Sequence, residues 1–525
     1  MEFGRTSIPE DKGVNSNLLL EFFNKLDELG IDRHGLVLIK DDNIIIENYT
    51  APFSNKYAHA LFSGSKGFIS TAVSFAIADG KMTLDTPILE YFPEYKKQAE
   101  KEPRNALITI RQLLTMTSGK KSSFIKNMTK TDYADDWIKY KFRDNDDFLY
   151  SNDDVYILAK AISRIYGMSI VDFLMPRLFI PLGIEKPFWE HNAEGYESAA
   201  TGLYIKTLDW AKVAYCYLNN GKYGNKQVIP KEWTEICGEK HIKLPDFYET
   251  SKDYGYYFWC NPDCGYRFDG MFGQLAYIFP KHKAVLVIHS STCKEFDLIK
   301  TIYEYFPKAF ETSSDGSQAD KLLTKLAEST NYELPINERS SKEKDISKYI
   351  YSLGLYQCVD IIGYPLSMIP MSVNTSFAQK AKHTLNNLSF EFKEWGATLS
   401  WNEGKEFNNI EIGMDGKYRE SLITLGNFKF TILSYAYWED DKTLNIEIRP
   451  IETPSRRYLK IKFGKHQARI KFTAVPSMRS FALGHMDEVM YKPSAKIVTA
   501  MKNFFMELLF KLTEPNLIAR AKHKK

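Results

Sequence analysis

Apolar residues recur at helical spacing from Leu18 to Leu29, in LLLEFFNKLDEL, and Gly30 closes the run. This predicts an amphipathic helix with a glycine stop. The next stretch, GLVLIKDDNIIIENYT from Gly35, holds two strand-like runs split by the polar turn Asp41-Asp42-Asn43. A second pair of such runs, GYRFDGMFGQLAYIFP from Gly265 and KAVLVIHSST from Lys283, lies far downstream, and the signals between the pairs are mostly helical. Strands at both ends with helices between them predict one antiparallel sheet flanked by helices, with a helical subdomain inserted. The fold class expected for residues 1–310 is α+β.

Residues 311–345 have linker composition: ETSSDGSQAD and NERSSKEKD enclose one short helix-like piece. From 346 to 490 the texture changes to short runs of alternating apolar and polar residues, separated by turn signals such as MDG, EDDK and FGK. That pattern predicts a mainly antiparallel β domain, barrel or lipocalin-like. In 491–525, Ile497, Met501, Phe504, Phe505, Leu508 and Leu512 fall at helical spacing, and a basic tail follows. An amphipathic helix packed on its own protein is favoured there over a membrane-surface anchor through 494–512.

The whole-chain numbers narrow the function class. A length of 525 residues calls for two or more domains. A net charge of +3, with acids and bases interspersed, lacks the basic face of a nucleic-acid binder. No stretch approaches the roughly 18 apolar residues of a membrane span, and the N-terminus has no signal-peptide pattern. The chain as given therefore reads as cytoplasmic. Six cysteines in this length form no disulfide framework. Nothing in the pattern specifies an oligomeric state.

Chemistry enters at Ser63-Gly64-Ser65-Lys66. A serine hydroxyl is a weak nucleophile until a base takes its proton. A lysine one helical turn later lies on the same face and serves as that base if burial keeps its amine neutral. Phe68, Ile69, Ala72, Val73, Phe75 and Ala76 are apolar nearly all round and predict a buried helix ending at Gly80, with Ser63 at its N-terminal end. The same spacing at Ser118/Lys121, Ser123/Lys126, Ser291/Lys294 and Ser341/Lys344 lacks this setting. A second element is Tyr150-Ser151-Asn152, whose phenol and carboxamide point the same way from an extended segment. Asn152 or Asp153 is expected to cap the helix that follows.

These motifs resemble the serine β-lactamase and penicillin-recognising family, in its class C-like branch of esterases, amidohydrolases and D-amino-acid peptidases. SGSK matches S-x-x-K and YSN matches Y-x-N. ITIRQLLTMTSG, ADGKMTLDTPILEYFPE and AATGLYIKTLDWAKVAYCYLNNGKY match in order and character, and FDGMFGQLAYIFP resembles the third-motif strand in its G-x-x-G-Q form. The likeness covers residues 8 to 305. It implies a β-lactamase-like fold, with Ser63 the acylated nucleophile, Lys66 its base, Tyr150 sharing proton transfer and Asn152 bonding substrate or Lys66. It also implies an oxyanion hole from the backbone N–H groups of Ser63 and Met271, with Gly270 and Gly273 leaving room for substrate.

One departure narrows the substrate. Where the third motif often carries a cation facing a carboxylate, this chain has Phe268-Asp269-Gly270. That weakens a penicillin-binding or β-lactamase-type assignment and favours a small ester or amide, or a D-amino-acid-containing compound, without a carboxylate there. Arg267 is close, but strand alternation should turn it away from Phe268. A catalytically weak binding protein is the alternative, and the β domain suggests a module that docks a polymer, a partner or a membrane face. No metal or cofactor is expected: the ten histidines lack ligand spacing, Cys260 and Cys264 have no second pair, and no nucleotide motif is present.

Overall fold

The computed structural model describes residues 1–6, 8–121, 133–192, 194–262, 265–353, 367–370, 385–403, 406–425, 428–477 and 514–524. The chain divides into two compact units, Met1–Asn331 and Tyr332–Lys525.

The first unit is organised by one sheet. From edge to edge its strands are Gly4–Arg5, Asn43–Tyr49, Asp32–Lys40, Ala284–Ser291, Gln274–Phe279, Gly265–Gly270, Trp259–Asn261, Asp253–Tyr254 and Ile242–Lys243. Gly4–Arg5 pairs in parallel and every other pairing is antiparallel. The central strands are apolar on both faces because both faces are covered. Leu36, Leu38, Leu275, Tyr277, Leu286 and Ile288 meet Leu19, Phe22, Phe23 and Leu26 of the helix Ser16–Leu29, with Leu298, Ile302 and Phe306 of the helix Glu295–Glu311. The alternate residues Val37, Ile39, Ala276, Ile278, Val285 and Val287 face the inserted helices, which include Lys66–Ala78, Asn152–Tyr166 and Thr207–Leu218. The Ser16–Leu29 helix begins where the Asn15 side chain accepts hydrogen bonds from the N–H groups of Asn17 and Leu18, and it stops at Gly30, whose φ is 68°.

The expected boundary at 310 is corrected. The helix-like piece read as linker is the helix Ala319–Glu328, and it belongs to the first unit. Its Leu322 joins the cluster built on Leu19 and Phe22. Asn48 Nδ2 donates to Leu326 O at 3.0 Å, and Lys325 pairs with Asp27. Its polar exposed face hid this docking in the sequence.

The second unit is the expected antiparallel β domain, and it closes. Its strands run in the order Glu406–Gly413, Gly396–Glu403, Leu385–Lys393, Tyr349–Ser352, Asn516–His523, Gln467–Val475, Arg456–Phe463, Thr443–Pro450, Phe428–Asp440 and Arg419–Leu425. A parallel bridge between Gly413 and Tyr435 joins the ends into a barrel. Alternation fills its interior, with Phe390, Leu399, Trp401, Ile410, Ile446, Ile461 and Phe472 buried. The basic tail is corrected too: Asn516–His523 is a strand between Tyr349–Ser352 and Gln467–Val475. Ala519 is buried while Ile518, Arg520 and Lys522 are exposed, a short alternation that Arg520, Lys522 and His523 masked. The helix expected over 494–512 lies outside the described residues. Among the described residues no helix is long and apolar enough to cross a membrane.

Candidate active site

The turn before the Lys66–Ala78 helix carries the expected nucleophile. Phe62 adopts a left-handed φ of 48°, and Phe62–Ser65 form one tight turn that runs directly into the helix. Ser63 is half-buried at this junction, while Lys66 is 1% exposed. Lys66 Nζ stands 2.8 Å from Ser63 Oγ and donates to the backbone oxygen of Ala200 at 2.9 Å. Burial pushes the Lys66 amine well below its usual range, against an opposing pull from Asp269. Three rival spacings fail at the lysine, since Lys121, Lys294 and Lys344 are exposed; Ser123/Lys126 lies outside the described residues.

Ala200 belongs to a segment stitched to both sides of the nucleophile. Leu61 N donates to Leu203 O at 2.9 Å, and Leu203 N donates to Ser65 Oγ at 3.2 Å. Its carbonyl is the main partner that sequence reasoning missed, since a backbone oxygen leaves no trace in residue type.

Tyr150 comes from the extended segment before the Asn152–Tyr166 helix. Met116, at a left-handed φ of 58°, pins that segment: Leu149 N donates to Met116 O at 3.0 Å. The Tyr150 ring centroid lies 4.7 Å from Lys66 Nζ and 5.8 Å from the ring of Trp259. The expected cap is corrected. Ser151, not Asn152 or Asp153, caps the helix by accepting from Asp154 N at 3.2 Å. Asn152 is the first helical residue, and its Oδ1 is buried with no hydrogen-bond partner among the described residues. Of the two partners expected for Asn152, substrate or Lys66, the second makes no bond to this oxygen. The other Tyr-x-Asn, at Tyr217, is structural, with its hydroxyl 2.7 Å from Thr71 Oγ1 inside the core.

The Gly265–Gly270 strand completes the ring of residues, and it corrects two expectations. Phe268 does not face the pocket. It is 1% exposed and packs among Phe68, Trp210, Tyr217 and Phe258. A Cβ on Gly67 would stand 2.1 Å from the Phe268 ring, so the missing side chain in the nucleophile helix is what admits it. At the two glycines, protein atoms rather than substrate fill the space a side chain would take. A Cβ on Gly270 would stand 2.0 Å from Leu61 O and 3.0 Å from Gly64 N, so the strand abuts the turn that bears Ser63. A Cβ on Gly273 would meet Ser290 Oγ at 2.2 Å, and there φ is +79°.

Alternation does turn Arg267 away from Phe268. Arg267 is 1% exposed. Its Nε donates to Asp269 Oδ2 at 2.8 Å, and Nη1 reaches Ser251 Oγ at 2.9 Å, Asn261 Oδ1 at 3.2 Å and Tyr303 OH at 2.7 Å. Asp269 itself is 21% exposed. Its Oδ1 makes no hydrogen bond among the described residues and is absent from their buried unpartnered atoms.

Met271 follows Gly270 and is half-buried. Gln274 holds its peptide. Gln274 Nε2 lies 3.2 Å from Met271 O, 3.2 Å from Phe272 O and 2.7 Å from Ser290 O, and Oε1 lies 3.0 Å from His289 Nδ1. A polar residue opening an apolar strand was the available signal for Gln274. His289 stacks on His59 at 4.5 Å, and burial holds both rings below the usual imidazole range. Among the described residues no cluster of His, Cys, Asp or Glu is arranged to hold a metal ion. Cys260 is buried, and Cys264 lies outside the described residues.

Chemically, the arrangement sets a hydroxyl beside a buried amine, with a phenol ring near the amine and a glycine strand against the hydroxyl's turn. A family model described as Beta-lactamase matches residues 25–303, more than half of the chain. A 6-aminohexanoate-dimer hydrolase of Paenarthrobacter ureafaciens is 22% identical over 297 residues, which is 51% of this chain and 74% of that protein. Among solved structures, a D-amino acid amidase from Ochrobactrum anthropi is 16% identical with a TM-score of 0.45, covering 56% of this chain and 98% of its own. An octameric penicillin-binding protein homologue from Pyrococcus abyssi is 16% identical with a TM-score of 0.43, covering 87% and 97%.

Proposed function

Because the chain belongs to the beta-lactamase family, we propose that it is a serine hydrolase that cleaves a small ester or amide through an acyl-enzyme on Ser63. The observation that carries this reading is the buried Lys66 amine 2.8 Å from Ser63 Oγ. The carbonyl of Ala200 takes one N–H of Lys66, which aims the amine, and burial favours its neutral form. A neutral amine at that distance accepts the Ser63 proton as Oγ bonds to the substrate carbonyl carbon.

The tetrahedral oxyanion then needs donors, and the backbone N–H groups of Ser63 and Met271 are the assigned pair. The close approach of Gly270 to Leu61 O and Gly64 N supports this, because it sets the Met271 peptide beside the nucleophile turn. As the intermediate collapses, the bond from the acyl carbon to the leaving oxygen or nitrogen breaks. The proton held by Lys66 passes to that atom through the Tyr150 hydroxyl, whose ring centroid lies 4.7 Å from Nζ. Water then attacks the acyl-enzyme, gives up its proton by the same route and restores Ser63.

Steady-state hydrolysis of p-nitrophenyl esters by the full chain tests the reading. Turnover that disappears in Ser63→Ala supports it, and turnover equal in the two proteins overturns it.

A further inference from the structure

Two groups near Lys66 go beyond what this chemistry alone requires: the Asp269 carboxylate, and the aromatic face that runs from Tyr150 to Trp259. Asp269 sits one residue before Gly270, so it is adjacent in the chain to the position that touches the Ser63 turn. Its electrostatic pull reaches Lys66. Arg267 grips Oδ2 from below the surface, itself held by Ser251, Asn261 and Tyr303. That network fixes the carboxylate in direction and leaves Oδ1 free of protein donors among the described residues.

Beside it stands Trp259, paired in register with Arg267 on the neighbouring strand and half-buried. Its ring continues into Tyr150 at 5.8 Å and Tyr248 at 5.4 Å. The circuit Ser63, Lys66, Tyr150, Trp259, Arg267, Asp269, Gly270 therefore closes on itself through contacts already described.

Resting on the serine-hydrolase reading, we propose that Asp269 with the Trp259–Tyr150 face forms a subsite for a positively charged ammonium group on the substrate. A carboxylate oxygen supplies the counter-charge, and an aromatic face favours alkylated ammonium over a bare hydrated ion. Arg267 is buried and held by Asp269, Ser251, Asn261 and Tyr303; its guanidinium lies 5.9 Å from the Trp259 ring centroid, so Asp269 Oδ1 and the Tyr150 side of the aromatic face are what the subsite offers a second cation. A substrate carboxylate, by contrast, would meet Asp269 as a like charge.

The test uses the full chain and two matched ester pairs. One pair is p-nitrophenyl esters whose acyl chains end in trimethylammonium or in the uncharged tert-butyl isostere. The other is butyrylthiocholine and its 3,3-dimethylbutyl thioester counterpart, which places the charge on the leaving side. The proposal predicts that kcat/KM favours the cation by about ten-fold or more in at least one pair. It also predicts that Asp269→Asn, which keeps an acceptor for Arg267 Nε, brings the ratio close to one. Neutral esters turned over with ratios near one in both wild-type pairs overturn the subsite and leave the hydrolase reading standing. If no ester of any kind is hydrolysed, the hydrolase reading fails, and binding of phenyltrimethylammonium to folded Ser63→Ala protein decides the subsite. Saturable binding lost on adding Asp269→Asn then supports it, and no binding overturns it.

Discussion

Lys66 Nζ and Ser63 Oγ stand 2.8 Å apart, and the lysine is 1% exposed while the serine is half-buried. A cation so enclosed has lost most of its hydration, which disfavours its charge. Its neighbours do not restore that charge: the Ala200 carbonyl is a dipole and Asp269 is a partial counterweight. Lys66→Ala should lower kcat/KM for a neutral ester by roughly 10³-fold. Lys66→Arg should be as inactive, because a guanidinium stays protonated and cannot serve as the base. Steady-state kinetics on folded variants check both, and an active Lys66→Arg protein would remove Lys66 from the base role.

The same pair sets the pH dependence. The base works when neutral, so activity is present above the folded-state pKa of Lys66 and is lost as pH falls through it. Burial moves that limb well below an ordinary lysine, and the Asp269 carboxylate moves it part of the way back. Asp269→Asn removes the second influence. The acidic limb of kcat/KM on a neutral ester should therefore shift to lower pH in Asp269→Asn, and a shift in the opposite direction contradicts an electrostatic pull of Asp269 on Lys66.

Phe268 provides a test of packing against chemistry. Its sequence position invites a lysine, in the hope of creating a carboxylate-binding site. The ring instead lies in the core against Gly67, Phe68 and Trp210. Phe268→Lys should bury an unpaired ammonium and cost about 3 kcal/mol or more. Calorimetry should show a melting temperature lower by roughly 5 °C or more. A variant of unchanged stability that gains reactivity toward penicillins would show that the side chain does face the pocket.

The buried imidazoles near the sheet predict acid lability. His59 sits well below the usual value and His289 is lowered to about 3, by burial first and by neighbouring rings second. The unfolded chain titrates near 6.5, so it binds protons that the folded chain refuses. Their stabilising effect is intact above about pH 6.5 and is lost as pH falls toward the folded values. Each ring contributes a slope of about 1.4 kcal/mol per pH unit in that window. The carboxyls of Asp154 and Glu403, raised by burial, act in the opposite sense, so the test is a difference. Urea unfolding between pH 6.5 and 5 should be less pH-dependent in His289→Asn by about that slope, and identical slopes contradict it.

Legibility followed the range of the interactions. The Ser63–Lys66 relation is one helical turn, and the apolar run Phe68–Ala76 announces the burial that makes it chemical, so both could be read locally. The barrel strands were likewise visible in alternation, although closure through Gly413 and Tyr435 was not. Whatever depended on distant partners escaped. Gly67 decides where Phe268 goes, the Leu203 segment decides how Lys66 is aimed, and Leu322 decides which unit owns its helix. Short-range choices between similar groups were also hidden: Ser151 and Asn152 are both good caps, and only backbone geometry selects the serine.

The most direct test of the account is intact-mass spectrometry after exposure to a fluorophosphonate and a slowly deacylating ester, each beside Ser63→Ala. The account predicts one added group per chain, placed on Ser63 by peptide mapping and absent from the variant. Folded protein that stays unlabelled, or a label that persists in Ser63→Ala, would contradict an acyl-enzyme at Ser63.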